Sequence, residues 1–326
     1  MKFSGNILVF ILIVLFVFIQ CTSKTESNQN QQENSVSNKI DHKAEDKEEL
    51  TSVIFECNYF NNPKPSLKAE LFAPDIFVNE DHQHSSPCFS PDGKEIYWSS
   101  GIRVKNTKSR KQVIYFSRYE DGKWSNPEIV SFSGDYSDGG PFITYDNKKM
   151  FFYSNRPITQ GAKIKSDDDI WYVERVDLNW SEPIRLQFNT DFNETMPSVS
   201  EKGTVYFAAQ YKEEGSFHIY YSELKDGLYE QPRSIGPSIN NDFRMSPYIA
   251  PDESYIIYAT LNAPLKISFR NADGSWGKHR SLGSIINTGK SQRFPMLTPD
   301  SKYLFFTSYK GGKEERYWID AEFLFK

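Results

Sequence analysis

The chain of 326 residues lacks the short motifs that mark most enzyme classes. It has no Gly-x-Ser-x-Gly nucleophile elbow, which a hydrolase of the α/β type would need. It also has no Cys-x-x-Cys pair, no phosphate-binding loop and no His-Glu-x-x-His, the motifs of zinc, nucleotide and metalloprotease sites. The sequence therefore predicts a protein that is not an enzyme, with no catalytic residue, no metal and no cofactor.

An excess of basic residues is also missing. Lys and Arg number 38 against 43 Asp and Glu, which gives a formal net charge of −5 at pH 7. Proteins that bind nucleic acids carry basic surfaces that neutralise phosphates. We therefore predict no nucleic-acid partner.

The apolar run at the N-terminus, residues 7–19, is too short to span a bilayer comfortably and suits the core of a signal peptide. Cys21 follows it closely, an arrangement that resembles the lipobox of bacterial lipoproteins, although Gln20 departs from the small residue preferred there. We predict a lipoprotein signal peptide over residues 1–20 and acylation of Cys21. An uncleaved anchor and an ordinary signal peptide are the alternatives.

Residues 21–50 have no aromatic side chains and almost no aliphatic ones. Such a segment cannot bury enough apolar surface to offset the entropy of ordering it. It is predicted to be a disordered polar tether between the membrane and a folded domain, residues 51–326.

Five segments of that domain repeat one pattern. Each has a proline, an apolar residue two positions later, a turn, and an aromatic or β-branched run. The prolines lie 48 to 56 residues apart and are Pro87, Pro141, Pro197, Pro247 and Pro295. A period near fifty residues with strand-like units inside it is typical of β-propellers. We predict an all-β propeller of five four-stranded blades, with six blades as the alternative.

The fifth repeat has no outer strand before the chain ends at Lys326. Residues 71–78, which precede the first repeat, have the apolar-Pro-apolar pattern of an outer strand. We expect this segment to complete the last blade and close the ring, because closure removes open sheet edges.

The repeats resemble a known family. The matching segments are Ser90-Pro-Asp-Gly93, Ser154-Asn-Arg-Pro157, Asp169-Ile-Trp-Tyr172, Trp180-Ser-Glu-Pro183 and Asn193-Glu-Thr-Met-Pro197. They are similar to the WD-repeat-like Pro-Asp repeats of TolB-like propellers, over about residues 58–322. With the leader, the chain resembles lipoproteins of that type in Bacteroidetes-like bacteria. The resemblance implies a propeller that binds partner proteins in the cell envelope, and no partner-binding residues are carried over.

Cys57 and Cys88 are the other two cysteines, and an exported chain could join them. Cys88 holds a repeat position that is elsewhere occupied by Phe142, Ser198, Tyr248 and Met296. A packed free thiol therefore explains Cys88 equally well, and both interpretations stay open.

Candidate binding residues follow from propeller geometry, in which the segments that enter the innermost strands surround one mouth of the central channel. Those segments contribute His84, Asp138, Glu194, Arg244 and Arg293. We predict that these residues ring the mouth, either as a pocket for a polar ligand or protein loop, or as salt bridges between blades.

Two further clusters could hold metals. His82 and His84 would share one face of an extended strand, and residues 167–169 are three consecutive aspartates. Neither has the spacing of a complete site, so we interpret both as polar loop residues.

The predicted function is an exported, membrane-anchored, monomeric binding or scaffolding module of the cell envelope, periplasmic or attached to the outer membrane. Its predicted partner is an unknown envelope protein or a polar ligand such as a glycan. The alternative is a carbohydrate-active propeller, either a glycan binder, a lyase or a hydrolase. For chemistry it would use paired carboxylates such as Asp138 and Glu194.

Overall fold

The structure is a computed structural model, and it describes residues 59–77, 85–159, 161–211, 215–241, 243–286, 288, 291–310 and 313–326. The chain divides into two units, 1–51 and 52–326, and every described residue belongs to the second. Several predictions lie outside the described residues, namely those on the signal peptide, Cys21, the tether, Cys57, His82 and His84. Within the described ranges, no helix is long and apolar enough to cross a membrane.

The elements before the first blade are short. They are a 3₁₀ turn at Tyr59–Asn61, strand β1 (Glu70–Leu71) and the single-turn helix α1 (Pro74–Phe77). Two more 3₁₀ turns occur later, at Gly283–Ile285 and Ala321–Phe325.

Blades 1 and 2 are antiparallel sheets whose outer edge is broken into two short strands. Blade 1 contains β2 (Cys88–Phe89), β3 (Glu95–Arg103), β4 (Arg110–Glu120), β5 (Lys123–Trp124) and β6 (Glu128–Ile129). Blade 2 contains β7 (Asp138–Ile143), β8 (Lys149–Ser154), β9 (Asp169–Val176), β10 (Asn179–Trp180) and β11 (Ile184–Arg185). A tight turn at Asp121 and Gly122, both with positive φ, separates β4 from β5, as expected for an Asp-Gly pair.

Blades 3 and 4 repeat the same order. Blade 3 contains β12 (Asn193–Val199), β13 (Val205–Gln210), β14 (His218–Ser222), the hairpin β15 (Leu224–Lys225) and β16 (Leu228–Tyr229), and β17 (Arg233–Ser234). Blade 4 contains β18 (Arg244–Ile249), β19 (Tyr255–Thr260), β20 (Lys266–Phe269) and β21 (Arg280–Ser281). All six residues of β19 are buried, because both faces of a blade pack against neighbouring blades.

Blade 5 closes the ring with a strand from the other end of the chain. It contains β22 (Gln292–Leu297), β23 (Tyr303–Lys310), β24 (Lys313–Asp320) and β1. Glu70 of β1 pairs with Trp318 of β24. The predictions of five four-stranded blades and of closure by an N-terminal strand are confirmed.

The length predicted for the closing strand, residues 71–78, is wrong. Strand β1 ends at Leu71, Ala73 has a φ of 39°, and α1 begins at Pro74. Proline suits the first turn of a helix and cannot donate to a strand ladder. Phe72 and Phe77 are nonetheless buried, each at 1% exposure, in an aromatic cluster shared by blades 1 and 5. The segment therefore seals the junction by packing more than by strand pairing.

Cys88 lies in the core as a free thiol. It is 3% exposed, and burial raises its pKa to about 12. The thiol accepts a hydrogen bond from the backbone N–H of Ile143 in the next blade. Its role in the described structure is packing at the centre of the ring.

Candidate functional site at the mouth of the channel

All inner strands begin at the same end of the channel, which we call the mouth. In four blades the residue before the anchor proline has a left-handed φ, and the strand register shifts there. These residues are Gly140 (φ 59°), Met196 (φ 55°), Ser246 (φ 49°) and Phe294 (φ 55°). A bulge of this kind bends a strand and re-aims the side chains beside it. The repeated bulge therefore sets the direction of the side chains at the mouth.

Below the bulges the channel is nearly filled. Two cavities of about 30 and 20 Å³ remain, and Met296 lines both of them. Met296 also packs against three separate core clusters, so it occupies the centre of the ring. Cavities of this size hold one or two waters, whereas ligand pockets usually exceed about 300 Å³. These two cavities are therefore too small for a ligand larger than water, whereas cavities of about 200 and 220 Å³ lie between the outer parts of blades 1 and 2.

Asp138, the first residue of β7, is fully buried. Its carboxylate accepts a hydrogen bond from Arg156 Nη2 at 2.7 Å and another from Ser133 Oγ at 2.8 Å. Arg156 lies over the rings of Phe152 and Trp171, which fixes the guanidinium in place. This predicted mouth residue therefore forms an ion pair inside blade 2.

Glu194 occupies the same repeat position in blade 3 and is also fully buried. It accepts hydrogen bonds from Thr190 Oγ1 at 2.6 Å and from Thr190 N at 3.2 Å. Burial raises the pKa of Glu194 to about 7, while the bonds from Thr190 act in the opposite direction. Both carboxylate oxygens are thus held by the loop that enters blade 3.

Arg244 holds this position in blade 4 and is 2% exposed. It donates to the carbonyl oxygens of Ile239 at 2.9 Å and Phe243 at 2.7 Å, and to the side chain of Asn241. Arg293, one residue further along its repeat, is partly exposed. The structure therefore places Asp138, Glu194 and Arg244 within their own blades, and only Arg293 of the described candidates reaches the surface.

The aspartate run at residues 167–169 is not the solvated loop that the sequence predicts. Asp169 is fully buried and forms ion pairs with Arg185 Nε and Lys165 Nζ, each at 2.7 Å. Lys165 Nζ also lies 2.7 Å from Asp167. The interpretation fails because Asp169 begins strand β9, and the ladder with β8 carries its side chain into the blade.

Asp168 differs from its two neighbours. Its side chain is half-buried and interacts electrostatically with Lys165, but it has no side-chain hydrogen bond among the residues that the structure describes. Burial, and then the charges of Asp167 and Asp169, raise the pKa of Asp168 to about 7. Its backbone oxygen accepts a hydrogen bond from Glu194 N at 2.8 Å, which places Asp168 at the junction of blades 2 and 3. The sequence alone does not distinguish Asp168, because it lies in a run of three identical residues.

Tyr153 narrows the mouth on the side of blade 2. Its hydroxyl donates to Gln112 Oε1 at 2.7 Å, and its ring lies against Gly139 and Gly140. A Cβ atom at Gly139 would lie 2.5 Å from the Tyr153 hydroxyl oxygen, so the glycine is needed for this placement. The corresponding positions of the other blades have smaller side chains, namely Ser99, Ala208, Ala259 and Thr307.

Several hydroxyl groups near the mouth are buried without a hydrogen-bond partner in the described part of the chain. They are those of Thr195, Tyr211, Thr260 and Ser308. Thr195 follows Glu194 directly, and the charge of Glu194 adds to burial in raising the pKa of Tyr211. Buried hydroxyls are nearly always hydrogen-bonded, so these groups are suited to bind water or a polar ligand.

The mouth between blades 2 and 3 therefore combines one open carboxyl group, Asp168, with unpaired hydroxyls. A carboxyl with a pKa of about 7 is part acid and part carboxylate at neutral pH, so it can donate or accept a hydrogen bond. No group of three or more His, Cys, Asp or Glu side chains in the described ranges could hold a metal ion. The chemistry available at this site is hydrogen bonding and proton exchange.

Comparison with solved structures finds TolB proteins and other β-propellers as neighbours. TolB from Acinetobacter baumannii is 16% identical with a TM-score of 0.47, and the match covers 74% of this chain and 55% of that one. TolB from Agrobacterium tumefaciens is 15% identical with a TM-score of 0.47, covering 73% and 77%. The periplasmic gluconolactonase PpgL of Pseudomonas aeruginosa is 10% identical with a TM-score of 0.41, covering 71% and 70%. At these values the likeness carries no argument about function.

No protein-family model matches the chain. A stretch of 95 residues is 30% identical to a peptidyl-tRNA hydrolase from Sulfurihydrogenibium sp. and covers 27% of this chain. The match spans about half of that relative, 48% of its length, and does not show membership of its family.

Proposed function

We propose that this propeller is a binding module that captures a polar ligand or a polar protein segment at the mouth between blades 2 and 3. The observation that carries the proposal is the half-buried carboxyl of Asp168, which has no hydrogen-bond partner among the described residues. The Asp168 backbone is hydrogen-bonded to Glu194, which precedes Thr195 in the chain, and the hydroxyls of Thr195 and Tyr211 have no partner in the described part of the chain. The cavities of about 30 and 20 Å³ beneath this rim are too small to admit such a ligand into the channel.

The occupancy of the other carboxylates supports binding over catalysis. Hydrolysis of a glycosidic bond ordinarily needs two available carboxyl groups, one as acid and one as base or nucleophile. Asp138 is engaged by Arg156, Asp169 by Arg185 and Lys165, and Glu194 by Thr190. Of these four carboxyl groups, only that of Asp168 has no hydrogen-bond or ion-pair partner in the described part of the chain, whereas the reaction needs two available groups.

One observation favours the carbohydrate-active alternative. The pKa of Asp168, about 7, matches that of a general acid working near neutral pH. If Glu194 releases Thr190 when a ligand binds, a second carboxyl group becomes available. An acid–base pair at the blade 2–3 junction is therefore the second candidate function.

The proposed location is the cell envelope, with the protein tethered as a lipoprotein through Cys21. Support comes from the apolar run at 7–19, the cysteine after it and the polar segment that follows. Replacing Cys21 with serine is expected to release the protein from membranes into the soluble fraction, because the acyl chains supply the membrane affinity. A Cys21→Ser protein that stays wholly in the membrane pellet would indicate an uncleaved anchor instead.

The test of mouth binding compares Asp168→Asn with Asp177→Asn, an exposed aspartate on an outer hairpin. Asp177 has a φ of 53°, which asparagine tolerates, so the control should fold normally. Immobilised full-length protein is incubated with envelope extract and with a panel of oligosaccharides, and retained molecules are analysed by mass spectrometry. Loss of a retained molecule in Asp168→Asn alone supports the proposal, and unaltered retention contradicts it. Recovery of cleaved oligosaccharide would favour the enzyme.

A further inference from the structure

Two adjacent cavities lie between the outer parts of blades 1 and 2, and we call them together the blade 1–2 groove. Their volumes are about 200 and 220 Å³, and both are lined by Arg118 of β4 and by Leu178, which lies between β9 and β10. Together they exceed the volume of about 300 Å³ at which ligand pockets usually begin. Lys94 and Asn147 of the second cavity belong to turns that follow the inner strands, so this cavity lies at the end of the ring opposite the mouth.

Leu178 departs from the pattern of the other outer hairpins. The corresponding residues of blades 1, 3 and 4 are Gly122, Gly227 and Gly274, which have φ values of 77°, 80° and 83°. Glycine suits such turns, whereas Leu178 has a side chain that is 64% exposed. Its backbone oxygen accepts a hydrogen bond from Arg118 Nη2, which fixes the leucine across the junction of the two blades. Local rules of this kind are most often broken at functional positions.

The two cavities contain the same kinds of side chain. Each has an amide, a carboxylate and an aromatic ring: Asn179, Glu128 and Trp180 in the first, and Asn147, Glu120 and Tyr119 in the second. In the described part of the chain, neither Glu120 nor Glu128 forms an ion pair or a side-chain hydrogen bond. Two adjacent cavities of nearly equal volume and similar lining match a polymer that presents the same chemical unit twice.

The charges along the groove disfavour an ionic ligand. Arg118, which lines both cavities, would repel a cation, whereas Glu120 and Glu128 would repel an anion. Arg118 Nε already donates to Glu95 at 2.9 Å, and Arg175 Nη2 donates to the same carboxylate at 2.6 Å. An ionic ligand would compete with these ion pairs, and leaving a partly buried charge without its partner is costly. Hydroxyl groups can donate and accept hydrogen bonds while the pairs stay intact.

A related junction between blades 3 and 4 separates the structural part of this arrangement from the rest. Arg270 lies over the ring of Trp276 at 4.6 Å, as Arg175 lies over Trp180 at 3.9 Å. Trp276 is buried, at 8% exposure, whereas Trp180 is half-buried and lines the first cavity. The arginine–tryptophan contact is therefore a device that joins blades, and the greater exposure of the tryptophan distinguishes the blade 1–2 junction.

We propose that the blade 1–2 groove binds a neutral oligosaccharide, with one sugar unit in each cavity. The C–H groups of a sugar ring pack against apolar side chains, here those of Leu178 and Ile129, which are 64% and 40% exposed. The hydroxyls of the same ring bond to amides and carboxylates, which both cavities supply. A protein segment would present different side chains to the two cavities, which fits their similar lining less well. This site does not depend on Asp168 or on the proposed function of the mouth.

The test measures binding of neutral hexasaccharides to the full-length protein by isothermal titration calorimetry. The probes are cellohexaose, maltohexaose, laminarihexaose and N-acetylchitohexaose, and we expect at least one of them to bind. Leu178→Ala should weaken that binding about tenfold, because it removes the apolar wall that the two cavities share. The matched control is Leu228→Ala, a leucine that is 68% exposed on the corresponding hairpin of blade 3, and it should bind within about twofold of the wild type. Asp168→Asn should retain binding, and the charged hexamers of galacturonate and glucosamine should bind about tenfold more weakly than the neutral probe.

Four results would overturn the assignment. One is a lack of binding of every neutral probe at millimolar concentration, and capture of an envelope protein that depends on Leu178 would then make the groove a protein contact. Another is an equal loss in Leu178→Ala and Leu228→Ala at unchanged melting temperature. The third is a charged hexamer that binds as tightly as the neutral probe. The fourth is a loss in Asp168→Asn as large as in Leu178→Ala, because the sugar would then bind at the mouth. Loss of the mouth ligand in Asp168→Asn with intact oligosaccharide binding in the groove would support both sites separately.

Discussion

Blades 3 and 4 place opposite charges at the same repeat position. Three residues before the anchor proline, blade 3 has Glu194 and blade 4 has Arg244, and both side chains are buried. Glu194 accepts two hydrogen bonds from Thr190, and Arg244 donates to carbonyl oxygens of the loop that enters its own blade. The position therefore requires a buried polar side chain that fastens the entry loop, and the sign of its charge is free to vary.

Blade 2 shows a third solution at this position. Asp138 forms a buried ion pair with Arg156, whereas the hydrogen bonds that Glu194 accepts from described residues come from the neutral Thr190. Hydrogen bonds from neutral groups do not fully offset desolvation, and the pKa of Glu194 is raised to about 7. The three blades thus share one geometry and differ in how the charge is compensated.

The largest effect is expected from Asp138→Ala. The change leaves the Arg156 guanidinium, whose side chain is 8% exposed, without its ion-pair partner. Breaking a buried pair in this way costs about 3–5 kcal/mol of unfolding free energy, measured by urea titration. The double variant Asp138→Ala/Arg156→Met should recover most of that loss. A single variant that loses less than about 1 kcal/mol would show that the pair does not hold the entry loop.

Arg244→Met should have the next largest effect. Methionine keeps an apolar side chain of similar length but removes the donors to Ile239 O and Phe243 O. Bonds from a charged donor contribute about 1.5–3 kcal/mol, so we expect a loss of about 2 kcal/mol in the same assay. Arg293→Met is the matched control, because Arg293 is partly exposed and should cost less than about 1 kcal/mol. Equal losses of unfolding free energy in the two variants would contradict the assigned difference between the buried Arg244 and the partly exposed Arg293.

The architecture of the ring could be predicted from sequence because it depends on repeated local signals. The anchor prolines and the apolar residue two positions later recur in each blade, and blade number follows from counting them, while Asp-Gly turns support the count in blades 1, 3 and 4. The third strands of blades 3 and 4, His218–Ser222 and Lys266–Phe269, agree with the patterns in the sequence. The closing strand was predicted from the missing outer strand of blade 5, but its length was not, because Pro74 favours both an outer strand and a helix start.

The mouth was predictable in position but not in detail. Sequence spacing placed Asp138, Glu194 and Arg244 at the starts of inner strands, and they are there. Their burial depends on partners such as Thr190 and Arg156, whose contacts arise only when the loops fold back on the blades. Asp168 was missed for the same reason, since nothing in three consecutive aspartates distinguishes the open side chain from the ion-paired one.

The contrast between Asp138 and Glu194 predicts a pH dependence for blade 3. Glu194 has a raised pKa in the folded state, so the folded protein holds its proton more tightly than the unfolded chain does. The free energy of unfolding therefore falls as pH rises from about 4.5 to 7, and the contribution of Glu194 to it is smallest above pH 7. Glu194→Gln removes this titration, so its stability relative to the wild type should rise by about 2–3 kcal/mol across that range. Urea titrations at several pH values measure the difference, and parallel curves for the two proteins would contradict the prediction.

The smallest effect on stability is expected for Asp168→Asn, because Asp168 has no partner to lose among the described residues. Below pH 5 the folded protein holds this carboxyl protonated, and asparagine is a neutral group of the same shape, so the two proteins should unfold within about 1 kcal/mol of each other. Above pH 7 Asp168 is ionised in a half-buried position and is repelled by Asp167 and Asp169, so the variant should become more stable than the wild type. Melting curves at pH 5 and pH 8 test both statements. A strong loss of stability at either pH would show that Asp168, like Glu194 and Asp138, has a structural role and stabilises the fold. A nearly unchanged melting temperature together with loss of the retained ligand would instead identify Asp168 as the group that contacts a partner at the mouth.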